Sequence, residues 1–179
     1  MKKYLCGFCS ILFIVLILFG CAPDPLAQET PTETLSEQTV PSTVVNSDNF
    51  ENTLDGLLKY LKEQEYISGE ESVMSAEMIG AEKGFRYVFD ANGGKTTIEI
   101  YSYDPSKLND TARDIAASVK ATGKFQVLNL PESEALLLNS DRYLLVYKDT
   151  KLIEKNPPAK NKERKEAIIK AIDTFHASE

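Results

Sequence analysis

Residues 84–103 read Gly-Phe-Arg-Tyr-Val-Phe-Asp-Ala-Asn-Gly-Gly-Lys-Thr-Thr-Ile-Glu-Ile-Tyr-Ser-Tyr, and this stretch decides the fold. Phe85, Tyr87 and Phe89 recur at every second position, which on extended backbone sets three aromatic rings on one face. Ile98 and Ile100 alternate in the same way against Glu99 and Tyr101. Asn92-Gly93-Gly94 stands between the two runs, and asparagine and glycine reach positive φ at low cost, so the pattern predicts a β-hairpin. Two chemical motifs overlap this turn and both fail. Gly94-Lys95-Thr96 ends like a phosphate-binding loop, but position 89, where the earlier glycine belongs, is Phe, and a strand follows where a helix would have to meet phosphate. Asp90-Ala91-Asn92 opens like a calcium loop, but Lys95 stands at the glycine position and Tyr101 where a bidentate Glu is required.

Upstream of the hairpin, Ser47 and Asp48 are N-cap types, and Asp48 with Glu51 has capping-box spacing. Phe50, Leu54, Leu57, Leu58 and Leu61 then form one apolar stripe at helical spacing, closed by Gly69, so a core-facing helix is expected from Asp48 onward. Ser72 to Ile79 suits either a strand or a helical turn. Downstream, Asp104-Pro105 offers an N-cap and a first-turn proline for a second helix running to about Lys120, with Leu108, Ala112, Ile115, Ala116 and Val119 inward and Gly123 at its end. Lys124 to Leu130 reads as a strand ended by Pro131. Ala135 to Leu138 and Arg142 to Tyr147 read as a second hairpin about Asn139-Ser140-Asp141. Asn156-Pro157-Pro158 breaks the chain before a last helix, Lys162 to His176, with Ile168, Ile169, Ile172 and Phe175 inward. The expected architecture is α+β: an antiparallel sheet of five or six strands with helices packed on one face, formed by residues 48–179 as a single domain. Two hairpin-then-helix units, from Phe85 and from Ala135, hint at duplication, although their residues do not align as a repeat.

The chain opens differently. Lys2 and Lys3 precede an unbroken apolar run from Ile11 to Phe19, followed by small residues at Gly20 and Cys21, the layout of a signal peptide over residues 1–20. Leu18-Phe19-Gly20-Cys21 resembles the lipobox of bacterial lipoproteins, with Phe19 in place of the smaller residue usual there. The resemblance implies that Cys21 receives a diacylglycerol thioether and becomes the mature N-terminus, anchoring the protein to the extracytoplasmic face of the cell membrane. Residues 21–47 hold four prolines, five threonines and four acids without Lys, Arg, Gly or an aromatic residue. Such a segment buries too little apolar surface to offset its conformational entropy, so a disordered tether is expected, with a root-mean-square span of about 30 Å.

Loss of Lys2 and Lys3 with the leader leaves 18 basic against 27 acidic side chains, a net charge of −9. Diffuse negative charge opposes nucleic-acid binding. One cysteine remains after position 20, with one histidine and no tryptophan, so neither a disulfide scaffold nor a Cys-rich metal site is available. Acid pairs such as Glu70-Glu71 and Glu132-Glu134 read as solvated loops, His176 as a helix-end residue, and no catalytic constellation is present; no enzyme activity, cofactor or metal is expected. If helices cover one sheet face, Tyr101, Tyr103, Tyr143 and Tyr147 would line the other as a partner-binding surface, since tyrosine offers large amphipathic contact area. Residues 151–170 carry a local excess of Lys and Arg, seven against three Glu, most simply a solvated helix face. The expected function is a lipid-anchored, non-enzymatic binding module for a protein or envelope component, with immunity or exclusion as a specific form. The alternative is a small-molecule receptor or an accessory lipoprotein of a transporter.

Overall fold

The computed structural model describes residues 45–177; the expected leader, Cys21 and the tether up to residue 44 lie outside them. The hairpin forms as its alternation dictates. Strands β2 (Lys83–Ala91) and β3 (Gly94–Ser102) pair antiparallel from Lys83↔Ser102 to Ala91↔Gly94, leaving Asn92 and Gly93 to turn the chain. Both turn residues have positive φ, +49° and +76°, the geometry whose twist matches the flanking strands. Strand β7 (Tyr143–Asp149) pairs with β3, β6 (Leu136–Leu138) pairs with β7, and β1 (Glu71–Val73) lies along β2. The order is β1-β2-β3-β7-β6, antiparallel throughout. Strands β4 (Lys124–Phe125) and β5 (Ser133–Glu134) form a separate two-stranded pair.

Local chemistry moves several boundaries. The first helix does not start at Asp48: Asn46 caps a 3-10 turn at Ser47–Asn49, and α1 (Leu54–Glu63) begins after Thr53, whose hydroxyl accepts from the Gly56 amide at 3.1 Å. The chain before α1 doubles back over its first turn, so a Cβ on Gly56 would strike the Glu51 carbonyl. Asp104 forms a turn instead of a cap, accepting from the Ser106 amide at 2.9 Å, and Asn109 caps α2 (Asp110–Thr122). Gly123, at φ +71°, ends that helix. Only the first two residues of the expected Lys124–Leu130 strand are extended; Leu128 takes φ +51° and the Leu130 amide donates to the Val127 carbonyl, which makes the rest a turn. The ambiguous stretch near Ser72 holds both β1 and a 3-10 turn at Ala76–Ile79. Helix α3 (Ala159–Asp173) follows the two prolines.

The α+β class and the antiparallel sheet are as expected, but the helices cover both faces instead of one. On the first face, Tyr87, Phe89, Ile98, Ile100, Tyr143 and Leu145 pack against Leu57 and Leu61 of α1, Ile168 and Ile172 of α3, and Phe175 just after it. On the second, Tyr101, Leu144 and Val146 pack against Ala112, Ile115 and Val119 of α2 and against Ala76 and Ile79 of the 3-10 turn. The cause is visible in β7, where Tyr143-Leu144-Leu145-Val146 is unbroken apolar sequence, the mark of a strand buried on both sides. This also disposes of the duplication. Adjacent antiparallel strands β3 and β7 could be exchanged by a two-fold axis normal to the sheet, which would leave both helices on one face; α2 and α3 lie on opposite faces.

Candidate functional site

The expected tyrosine surface does not form. Register pairs Tyr101 with Leu144 and Ile98 with Tyr147, so Tyr101 belongs to the second face while Tyr143 and Tyr147 belong to the first. Tyr101, Tyr103 and Tyr143 are buried and Tyr147 is half-buried. Tyr103 donates its hydroxyl to the Ile79 carbonyl at 3.2 Å, tying β3's end to the 3-10 turn under α2. Burial pushes the hydroxyl pKa of all four tyrosines up. Alternation along one strand is a local property, but which residues of two strands share a face depends on inter-strand register, and that was the missing quantity.

The free surface lies elsewhere on the second face. Cover by α2 and the 3-10 turn is centred on the Tyr101–Leu144 row. Toward the Asn92-Gly93 turn the next rows are Arg86–Glu99–Val146 and Val88–Thr97–Lys148. Above the first of these the face opens as a hollow of about 300 Å³. One wall is Met74, Met78 and Ile79; the other is Phe125, Val127, Leu130 and Pro131; Arg86, Glu99 and Tyr101 make the floor, and Lys148 stands at the rim. In the outer row Val88 is 47% exposed and Lys148 is exposed. Ser133 and Lys148 also line a second hollow of about 550 Å³ that continues past Thr97 and Lys95 to Leu152 and Ile153.

The floor is an organised polar set inside apolar walls. Glu99 is only 8% exposed, yet both oxygens are occupied: Oε1 accepts from Arg86 Nε at 2.9 Å and Nη2 at 2.7 Å, and Oε2 accepts from the Tyr101 hydroxyl at 2.9 Å. A buried carboxylate needs such partners, because removing one leaves an uncompensated charge at a cost of about 3–5 kcal/mol. Desolvation first, and the Glu99 charge second, keep the Tyr101 hydroxyl protonated. Each carboxylate oxygen is thus engaged by a donor from the floor itself. Among the described residues Lys148 has no carboxylate within 4.0 Å.

Other sequence candidates land apart from this site. Within the basic segment Lys151 pairs with Glu154 at 2.7 Å, Arg164 donates to the Tyr66 carbonyl at 2.6 Å, and Lys165 lies over the Tyr147 ring. His176 stands edge-on to Phe175 and donates Nε2–H to the Phe50 carbonyl at 2.9 Å, joining the end of α3 to the chain before α1. Glu71 accepts from the Tyr87 hydroxyl at 2.7 Å, and Glu132 pairs with Lys124 at 3.8 Å. Among the described residues no group of three or more His, Cys, Asp or Glu could hold a metal ion, and no helix is long and apolar enough to cross a membrane. Comparison with protein-family models, with curated proteins and with solved structures returned no match. The site therefore rests on its own geometry. Sequence reasoning missed Arg86, Glu99 and Lys148. One signal was present, the charged residues Arg86 and Glu99 on inner strands among aromatic and β-branched neighbours.

Proposed function

We propose that this chain is a lipid-anchored, extracytoplasmic, non-enzymatic binding module, held to the membrane through Cys21 and engaging a protein or envelope component with the open half of its second sheet face. The observation that carries the reading is the Arg86–Glu99–Tyr101 floor set between apolar walls and continued outward by exposed Val88 and Lys148. Exposed apolar side chains extend the contact beyond the hollow: Met78, Leu128 and Leu130 are solvent-facing on its wall elements. Contiguous apolar surface of this kind marks interaction sites. The anchor is supported by Leu18-Phe19-Gly20-Cys21 and the leader before it. The runner-up, a receptor for a small molecule, draws on the same hollow, but about 300 Å³ sits at the lower limit of ordinary ligand pockets.

Two measurements test the two halves of the proposal. Cys21→Ser should abolish lipid labelling and leave an unprocessed precursor; intact mass showing an unmodified Cys21 in the membrane fraction removes the anchor. A photo-reactive side chain at Met78 should cross-link the native partner in producing cells, while the same group at exposed Lys59 on α1 should not. Equal labelling from both positions removes the assignment of this face.

A further inference from the structure

We infer that the groove takes a protein segment in which large apolar residues adjoin a carboxylate, the apolar side chains entering between the methionine wall and the Val127–Pro131 wall and the carboxylate meeting Lys148 and the outer edge of Arg86. The inference rests on the binding-module reading and names the partner's chemistry. Three observations carry it. First, Met74 and Met78, the two methionines beyond the initiator, both line this hollow. Methionine is unbranched and polarisable and repacks against varied side chains, which suits a peptide more than a single rigid small molecule. Second, the charge lining the hollow is two cations against one anion, and that anion is spent: both Glu99 oxygens point into Arg86 and Tyr101, so what remains for a ligand is positive. Arg86 Nη1 makes no hydrogen bond among the described residues and its side chain is 42% exposed. Third, the full chain carries a net charge of −7, so a carboxylate-bearing segment is held best where cations outnumber anions, and the groove is one such place.

The test selects binders to the immobilised full chain from a displayed library of random peptides and measures the enriched peptides at low and high salt. The expected consensus pairs one or two large aliphatic or aromatic residues with Asp or Glu. Lys148→Glu should weaken those peptides by about fivefold or more at low salt, with the difference shrinking as salt screens the pair. Met78→Lys should abolish binding at any salt. Arg86 is avoided as a probe because its removal strands the Glu99 carboxylate in the interior; thermal melting of Lys148→Glu and Met78→Lys beside the parent shows that both remain folded. Peptides that need Met78 but show no acidic residue and no Lys148 dependence would overturn the partner chemistry while leaving the groove as the binding face. Selection that yields only peptides indifferent to Met78 would overturn the groove itself.

Discussion

Tyr101 shows how far one side chain's role depends on its partner strand. Its ring lies against Gly84, the residue paired with it across β2 and β3, where any Cβ would collide with the ring. Its hydroxyl serves Glu99. Tyr101→Ala is therefore a core mutation and should cost about 3–5 kcal/mol of unfolding free energy, the range for deleting a buried aromatic ring. Tyr101→Phe keeps the ring but leaves Glu99 Oε2 without its donor, and should cost about 1–3 kcal/mol. Denaturant titration of both variants checks the order; a Tyr101→Ala protein as stable as the parent would return Tyr101 to the surface. The tyrosines also make a pH prediction. Tyr87, Tyr101, Tyr103 and Tyr143 all have hydroxyl pKa values raised above the usual 10.0, chiefly by burial. The unfolded chain then loses these protons at lower pH than the folded one, so unfolding is favoured as pH rises. The stabilisation they contribute is complete below about pH 10 and is lost progressively above it. A Tyr→Phe change at any of these four should remove phenolate absorbance only from the cooperative alkaline transition in which the far-UV circular dichroism signal is lost; absorbance removed instead from the pH range where the fold is intact would mean an exposed ring.

At the scale of elements, caps decided boundaries and register decided faces. Gly56 lies inside α1, where alanine is ordinarily better by about 1 kcal/mol. Here the Cβ would meet the Glu51 carbonyl, so Gly56→Ala should destabilise and shift the thermal midpoint down, whereas substitution at exposed Lys59 should not. A rise in midpoint for Gly56→Ala would show that residues 51–53 do not fold back over the helix. The same fold-back explains why a helix expected from Asp48 begins six residues later: Thr53 offers its hydroxyl to Gly56, and the stripe residue Phe50 reaches the core from outside the helix, its ring 5.6 Å from that of Tyr60. Alternation and turn chemistry made both hairpins legible, because Asn92-Gly93 and Asn139-Ser140-Asp141 carry the positive φ values their turns need. The three helices were legible from apolar spacing. Which face α2 would cover was not, since that follows from the pairing of β3 with β7, a contact between residues about 45 positions apart that leaves no periodic trace. The groove was illegible for the same reason: its walls come from residues 74–79 and 125–131 and its floor from β2 and β3.

At the scale of the whole described domain, the first face is closed by segments from its two ends. Helices α1 and α3 lie side by side over the sheet, and a run of rings, Phe50, Tyr60, Phe175 and His176, joins them at centroid spacings of 4.6–5.6 Å. Polar contacts add to the closure. Asp173 accepts from the Asn139 amide at 2.7 Å, and Asn161, fully buried, donates Nδ2–H to the buried Asp149 carboxylate at 2.8 Å, which holds the first turn of α3 against the end of β7. Ile168, Ile172 and Phe175 have no exposed surface. At about 1.5–3 kcal/mol for each buried side chain, their burial is comparable with the roughly 5–15 kcal/mol by which whole domains are stable. Removal of residues 159–179 should therefore abolish cooperative unfolding instead of lowering its midpoint, because Leu57, Leu61, Ile98 and Leu145 would lose the layer that covers them. Leu128→Asp is the matched control: the side chain is 79% exposed in the 126–131 turn and sits at positive φ, which Asp tolerates better than Leu, so the substitution should not lower the thermal midpoint. A truncated chain that still melts in one sharp transition would show that α2 and the second face suffice to fold the sheet, and would shift the centre of stability to the face that carries the groove.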